Sequence, residues 1–511
     1  MVMKLSTKHA NQQSVILQDF TGGLNVSCTE NLIADNELAE VINMEIDSNS
    51  KLLRTVQGTD TLYTTTEYTF KSAAFDILNS ALILFTEDNK ILATKNFSEV
   101  KEVGTLTGTG EVITAMWEDG LLIASGGKLQ YAKGTEPVET IDTSPEHCNG
   151  VYIRSGRVLV FDDTDQVLFS GVGDETNWTQ DTNDPSSSLF AQIGYKVGGH
   201  IMGMVNMSKD ILFIKSNGMV FRLENEYPDW RISELGRNIF CKGTASYCNI
   251  VNSVLIMSDI SLQSIQTTQE YGDMKPTNIG SKVASKIANL PSNTKLRYVP
   301  PLNQVWCVGE NGYVLVLDCN TSAFFQRQFN DVAVDVLSIN SDVYVIKENA
   351  ICKLNAGDVF YDADEPLRFK VRMKTRMADY QYLIKRLTIC VTPLQYMYVS
   401  DSHFDIGTIK VPLPHLVPSS YIHDNKQYIF RNSEPLPYRN NKNIYTRASD
   451  KVADNFEPIY NSKFNKQQLQ NLETIRKTKR VVYRSPNIRI SGVGMGEPFI
   501  LNFIQADVAE V

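Results

Sequence analysis

The chain has 511 residues, room for two or three domains of ordinary size. Hydrophobic residues make up 42% and charged residues 21%, which argues against a disordered chain. No run reaches the roughly eighteen apolar residues of a membrane-spanning helix, and residues 1–14 lack the apolar core of a secretory signal, so a soluble chain is expected. The net charge of −9 is divided unevenly: residues 1–365 carry 27 Lys and Arg against 46 Asp and Glu, whereas residues 366–511 carry 22 against 12. Such a split suggests domains with different surfaces.

In chain order, residues 1–69 read as an N-terminal arm. Gly22-Gly23 is a break, and Leu38, Val41 and Ile42 predict a short helix over 35–44. A strand in this arm would close a ring by pairing with strands from the far end of a repeat region.

From residue 70 to about 364 one pattern recurs: a short alternating apolar run, a tight polar turn, a second run, another turn and a third. The first unit has runs at 70–77, 81–85, 91–93 and 100–103, and the second at 112–117, 121–124, 129–132 and 138–141. Turns such as Asp119-Gly120, Gly126-Gly127, Ser155-Gly156 and Asn217-Gly218 separate the runs as hairpins require. Second runs begin near 81, 121, 158, 211, 254, 304 and 343, a spacing of 37–53 residues. Several short strands per unit at that period predict a β-propeller of six to eight blades, with seven the count of units. One twisted sheet cannot bury both its faces, but a ring of sheets packs each against a neighbour. A pair of β-sandwiches is the alternative.

Residues 365–511 read as a C-terminal β-rich, sandwich-like domain with a long loop insertion over 411–480. Arg368, Lys370, Arg372 and Lys374 alternate with Phe369, Val371 and Met373, which is strand periodicity. Further strands are expected at 387–391, 487–491 and 499–504, and a helix at 464–477. The cationic face of 368–374 has three readings: a track for DNA phosphates, a contact with an acidic surface, or a solvated face.

Signatures of catalysis are thin. The sequence holds no HExxH, P-loop, GxSxG or calcium-loop motif, so no catalytic, cofactor or metal residue is assigned. His9, His147, His200, His403, His415 and His423 show no ligand spacing. Asp162-Asp163-Thr164-Asp165 lacks the glycine and distal glutamate of a calcium loop, and Gly492-Val493-Gly494-Met495-Gly496 precedes no helix. The eight cysteines form no CxxC pair and read as free buried thiols.

The opening Phe20-Thr21-Gly22-Gly23-Leu24-Asn25, then Asn31-Leu32-Ile33-Ala34-Asp35-Asn36-Glu37, Ala39-Glu40-Val41-Ile42-Asn43-Met44 and Lys51-Leu52-Leu53-Arg54, resembles that of the tail-nozzle or packaged-DNA stabilisation proteins of short-tailed phages. Leu168-Phe169-Ser170-Gly171-Val172-Gly173-Asp174-Glu175-Thr176-Asn177-Trp178 resembles a segment of the same proteins, as does the hairpin carrying Phe213-Ile214-Lys215 and Arg222-Leu223, with Trp230. The chain departs from the family pattern at Thr55-Val56-Gln57-Gly58, where a second arginine and a proline are common. The resemblance covers residues 18–355.

It implies a propeller-bearing structural virion protein without an active site. Such a protein assembles as a ring, often a hexamer, below portal and adaptor. The ring extends the DNA channel, retains the packaged genome and contacts fibres or the tail tip. The acidic propeller would let DNA slide without sticking, and the 173–188 and 411–461 loops are candidates to plug the channel. Two other classes stay open. A propeller glycosidase or lyase acting on surface polysaccharide would need carboxylates such as Asp76, Asp119 and Asp162 to converge on a central pocket. A cellular interaction scaffold would bind its partners as a monomer.

Overall fold

The computed structural model describes residues 12–47, 52–207, 209–251, 253–267, 274–309, 312–355, 361–363 and 365–374, and beyond these the backbone of the later strands named below. The chain divides into two compact units. One comprises Thr61–Cys319 and Asp331–Leu354; the other comprises Met1–Asp60, Asn320–Asn330 and Asn355–Val511.

The first unit is a seven-bladed β-propeller. Five blades are four-stranded antiparallel meanders, each built from consecutive strands. Blade 1 runs Phe70–Asp76, Ala81–Thr86, Lys90–Thr94 and Lys101–Thr105, and blade 2 runs Ile113–Trp117, Gly120–Ala124, Gln130–Ala132 and Glu139–Thr140. Blade 3 begins at Gly150–Arg154, blade 4 at Ile201–Met207 and blade 5 at Tyr247–Ile250. Blade 6 contributes Lys295–Val299, Gln304–Val308 and Val314–Asp318, and blade 7 contributes Ala333–Ile339, Asp342–Lys347 and Ala350–Leu354. The expected count of seven and the positions of the second strands both hold.

Blade 7 is completed from the other end of the chain. The strand Thr59–Thr64 lies beside Ala350–Leu354, with Thr61 Oγ1 3.8 Å from Cys352 Sγ. Thr65 N–H then donates to the Asn349 carbonyl at 2.9 Å. This is the ring closure expected of the N-terminal arm.

Apolar packing holds the blades together. Second strands such as Ala81–Thr86, Gly120–Ala124 and Arg157–Phe161 are buried at every position, because each has sheet neighbours on both edges and other blades against both faces. Fourth strands face water: Glu139–Thr140 is exposed at both residues. Separate clusters join successive blades, for example Phe85, Ile91, Leu121 and Ile123 between blades 1 and 2, and Phe70, Leu84, Ile346 and Ile351 between blades 1 and 7. Each such side chain contributes about 1.5–3 kcal/mol on full burial. An exposed ion pair contributes about 0–1 kcal/mol, so these clusters dominate the stability.

The second unit is also β-rich. One sheet places Glu37–Ile42 between Ala323–Arg327, in parallel, and Arg368–Met373, antiparallel; Ile488–Gly494, Val399–Ile406 and Ile409–Pro412 follow. Another sheet runs Met44–Ile46, Leu53–Thr55, Phe499–Glu510, Tyr382–Pro393 and Glu473–Lys477, with Gln12–Leu17 beside Phe499–Glu510.

The helix expected over 35–44 is instead the strand Glu37–Ile42. Its apolar residues fit either period, and pairing on both edges with β-branched Val41 and Ile42 decides for the strand. The helix expected over 464–477 is likewise a strand at Glu473–Lys477, antiparallel to Tyr382–Pro393, while 464–472 lies outside the described residues. Within 411–461, read as long loops, Ser420–His423, Lys426–Arg431 and Glu434–Leu436 form a three-stranded meander.

Candidate functional site

The seven innermost strands converge on the propeller axis, and the space between them is a cavity of about 350 Å³. Small side chains, Ala73, Ala74, Thr114 and Ala245 among them, share the walls with larger ones. Tyr152, Tyr247, Met204 and Leu337 also border the space. Gly203 makes room for one of these rings, since a Cβ there would stand 2.1 Å from Tyr247 Cε1. The Tyr247 hydroxyl accepts a hydrogen bond from the Met204 N–H at 3.3 Å, which ties blade 5 to blade 4.

Charged groups gather where the inner strands begin. Asp335 is fully buried in blade 7. Its Oδ1 accepts from Arg297 Nε at 2.7 Å and Val336 N at 2.9 Å. Its Oδ2 accepts from Arg297 Nη2 at 3.0 Å, Ser72 Oγ at 2.9 Å and Ala73 N at 3.2 Å. One carboxylate thus joins blades 6, 7 and 1. Lys295 Nζ reinforces the junction, donating to the Lys71 carbonyl at 2.5 Å and the Val334 carbonyl at 3.2 Å. Burial alone would raise the Asp335 pKa, but Arg297, Lys295 and Ser72 hold it below the ordinary carboxylate value. Glu111 moves the opposite way: burial raises its pKa, and Lys295, Lys71 and Arg297 only partly offset that. The Lys71 pKa is lowered, again chiefly by burial.

The three carboxylates singled out in the sequence do not meet at this cavity. Asp76, at the end of the first inner strand, is fully buried and accepts from Asn79 N, Asn79 Nδ2 and the Gly134 N–H, the last at 2.9 Å from blade 2. Asp119 sits in an exposed hairpin turn between the Tyr131 hydroxyl, at 2.6 Å, and Lys133. Asp162 closes a turn by accepting from Thr164 N at 2.8 Å and Thr164 Oγ1. Each has the bonding of a turn or an inter-blade tie. Among the described residues no group of three or more His, Cys, Asp or Glu is placed to hold a metal ion.

The cationic strand has acidic neighbours within its own unit. Lys370 Nζ lies 2.6 Å from Glu40, Arg372 pairs with Glu30 and with Glu40 at 3.3 Å, and Lys374 lies 3.2 Å from Asp35. Phe369, Val371 and Met373 are buried on the opposite face, as the alternation requires. Of the three readings of these cations, contact with an acidic surface describes the strand best, and that surface is the 30–40 segment of this chain.

The residues quoted from the opening are architectural. Gly23 has φ +62°, and a Cβ there would lie 2.7 Å from Ala323 Cβ and 2.9 Å from the Phe324 carbonyl oxygen. The Glu37 carboxylate accepts from Asn25 Nδ2 and the Ala34 N–H, both at 2.7 Å, and so fixes the intervening turn. Asn43, also left-handed, donates to the carbonyls of Gln328 and Arg368. Glu45 pairs with buried Arg327 at 2.9 Å and with Arg54 at 2.8 Å.

The 173–188 loop is stapled at its base. Buried Arg157 donates to the carbonyls of Ser170, Ser187 and Pro185 at 2.6–2.7 Å, and Trp117 Nε1 reaches Glu175 at 2.9 Å. The described cysteines are free; Cys148, Cys307 and Cys352 are buried, but Cys28 is exposed, contrary to a uniformly buried set. Burial pushes the Cys148 and Cys307 thiols up to about 12, which leaves them unreactive.

The fold and cavity place the chain in the class of seven-bladed β-propellers. Neither a family model nor a curated protein matches it. Among solved structures it is similar to the WD40 β-propeller domain of Doa1, with 12% identity over 59% of this chain and 98% of that one, at a TM-score of 0.40. It is also similar to BamB from Moraxella catarrhalis (10% identity, 61% and 96% covered, TM-score 0.38) and to the Pan2 WD40 domain of Neurospora crassa (11%, 58% and 95%, 0.39). The blade count rests on the sheets themselves.

Proposed function

We propose that the chain is a structural component of a short-tailed phage virion, a tail nozzle or hub that assembles as a ring below portal and adaptor. The observation that carries this reading is the pairing, on one chain, of the Phe20–Asn25 and Asn31–Met44 opening with an acidic seven-bladed propeller. The propeller unit carries 22 Lys and Arg against 34 Asp and Glu, a net −12 that repels phosphate. Its own axis is filled by side chains around about 350 Å³, far too little for a duplex, so DNA passes through the hole of the ring and the propellers serve as its stiff wall. The partners of this reading are further copies of the chain, adaptor-side proteins, fibres or tip proteins, and DNA in transit. The alternative glycosidase or lyase gains no support from Asp76, Asp119 and Asp162, which do not line the axial cavity and are engaged in turns or, for Asp76, also in a tie to blade 2. Immunogold labelling of virions assembled from the genome that carries this gene tests the proposal: labelling at the tail is expected, and virions free of the chain would overturn it.

A further inference from the structure

We propose that an exposed aromatic cleft between blades 3 and 4 of one copy docks the cationic 473–483 sheet edge of a second copy. The inference rests on the ring reading for its second copy and adds which two surfaces meet.

The cleft, of about 280 Å³, lies between the 173–188 loop of blade 3 and the 225–230 turn of blade 4, with Asp181, Asp184, Leu189, Phe190 and Tyr227 in its lining. Phe190 and Tyr227 are 53% and 43% exposed, so both rings remain open to a partner. The surface is held in place from beneath. The Tyr227 ring stands edge-on 5.3 Å from Trp230, and Trp230 lies 4.6 Å from buried Phe169. Buried Arg157 fixes the base of the loop through the Ser170, Pro185 and Ser187 carbonyls.

The charge around the cleft is negative. Asp181 and Asp184 each use Oδ1 for a turn, accepting from the Asn183 and Ser186 N–H groups at 2.9 Å, which leaves Oδ2 of each unbonded among the described residues. Residues 171–188 and 222–231, with the adjoining turns 154–157 and 207–210, carry eight Asp and Glu against five Lys and Arg. Of those cations, Arg154 and Arg157 donate to backbone carbonyls, Arg222 pairs with Asp210 at 3.3 Å, and Arg231 with Glu224 at 3.7 Å; Lys209 is the fifth. Aromatic rings beside surplus carboxylates suit Lys and Arg side chains.

The complementary charge lies in the second unit. Beyond the 368–374 strand, whose cations already meet Glu30, Asp35 and Glu40, residues 375–511 carry 18 Lys and Arg against 12 Asp and Glu. Arg476-Lys477-Thr478-Lys479-Arg480 is the densest cationic run of the sequence. It joins Glu473–Lys477 to Val481–Tyr483, and among the described residues both strands pair only with Tyr382–Pro393, at the outer edge of their sheet. Cleft and edge are different surfaces, so the interface is heterologous, the kind that makes a ring when its rotation closes.

The test uses the full chain with Phe190→p-benzoylphenylalanine, a photoreactive residue, alone and with the adaptor and portal proteins of its genome. Isotopically light and heavy copies are mixed, so that cross-links between copies are told from those within one. Cross-links from residue 190 to the 473–483 segment of another copy are expected. Asp181→Asn with Asp184→Asn keeps the turn-forming oxygens and is expected to raise the concentration for half-assembly at least about tenfold. Lys479→Glu with Arg480→Glu is expected to do the same. Tyr195→Ala, which removes an exposed ring outside the cleft, is expected to leave assembly unchanged. Rings in which residue 190 cross-links elsewhere or only within single copies, or which ignore both charge substitutions, overturn this interface and leave the ring reading standing. A chain monomeric in every mixture overturns both.

Discussion

Asp335→Asn tests how the propeller ring is held shut. The amide keeps one oxygen for Arg297 Nε and Val336 N–H, but it replaces Oδ2 by an NH2 group. Ser72 can rotate its hydroxyl to accept from that group, whereas Ala73 N–H and Arg297 Nη2 lose their acceptor and meet a donor. Two donors left unpaired beside a guanidinium without its counter-charge cost about 3 kcal/mol, the low end for breaking a buried pair, because Arg297 keeps partial access to water. In a unit of this size that is a fall in Tm of about 5 °C. The assay is calorimetry of the full chain at pH 7 beside Asp342→Asn, which removes a half-exposed pair with Lys353 from the same blade. The control is expected to shift Tm by about 1 °C or less. An Asp335→Asn shift no larger than the control's would refute the latch. The sign with pH is fixed as well. The Asp335 pKa is depressed in the folded state, so its stabilisation is full above the ordinary carboxylate value, near 3.9, and is lost as pH falls through the lower folded value. The gap between unaltered chain and variant therefore closes below about pH 4.

Glu111→Gln is expected to raise the Tm at pH 7, because the Glu111 pKa is raised and ionisation penalises the folded state there; the gain disappears on acidification through the folded value to the ordinary one, as melts across pH 4–7 would record. Gly23→Ala adds a left-handed non-glycine residue and a contact at 2.7 Å, and is expected to cost about 2–4 kcal/mol, measured as a lower urea midpoint for the unit containing residues 12–60. Duplex DNA is expected to bind the full chain no better than about 10⁻⁴ M at physiological salt, and Arg372→Ala to leave that unchanged, since Arg372 is engaged with Glu30 and Glu40. Tight binding that Arg372→Ala abolishes would restore the phosphate-tracking role of that strand.

The blades were legible because each obeys two local rules, alternation along a strand and a turn residue between strands, repeated at a near-constant interval. The second strands stand within one residue of their expected starts. What escaped depends on distant residues. Glu37–Ile42 carries apolar positions compatible with a helix, and only its neighbours at Ala323–Arg327 and Arg368–Met373 make it a strand. The cations of 368–374 announced a charged face, but their partners lie more than 300 residues away at Glu30, Asp35 and Glu40. Arg297 and Asp335 left a fainter trace, as charges flanked by apolar residues within inner strands, Leu296-Arg297-Tyr298 and Val334-Asp335-Val336. Such a position marks either a mistaken strand or a buried pair, and one strand alone does not say which.

The most direct test of the central claim is the native mass of the purified chain, alone and with the adaptor and portal proteins of its genome, followed by negative-stain imaging of each sample. A closed ring with a hole wide enough for duplex DNA, formed alone or only on adding those partners, is the predicted result. A chain that stays monomeric in every mixture would contradict the account.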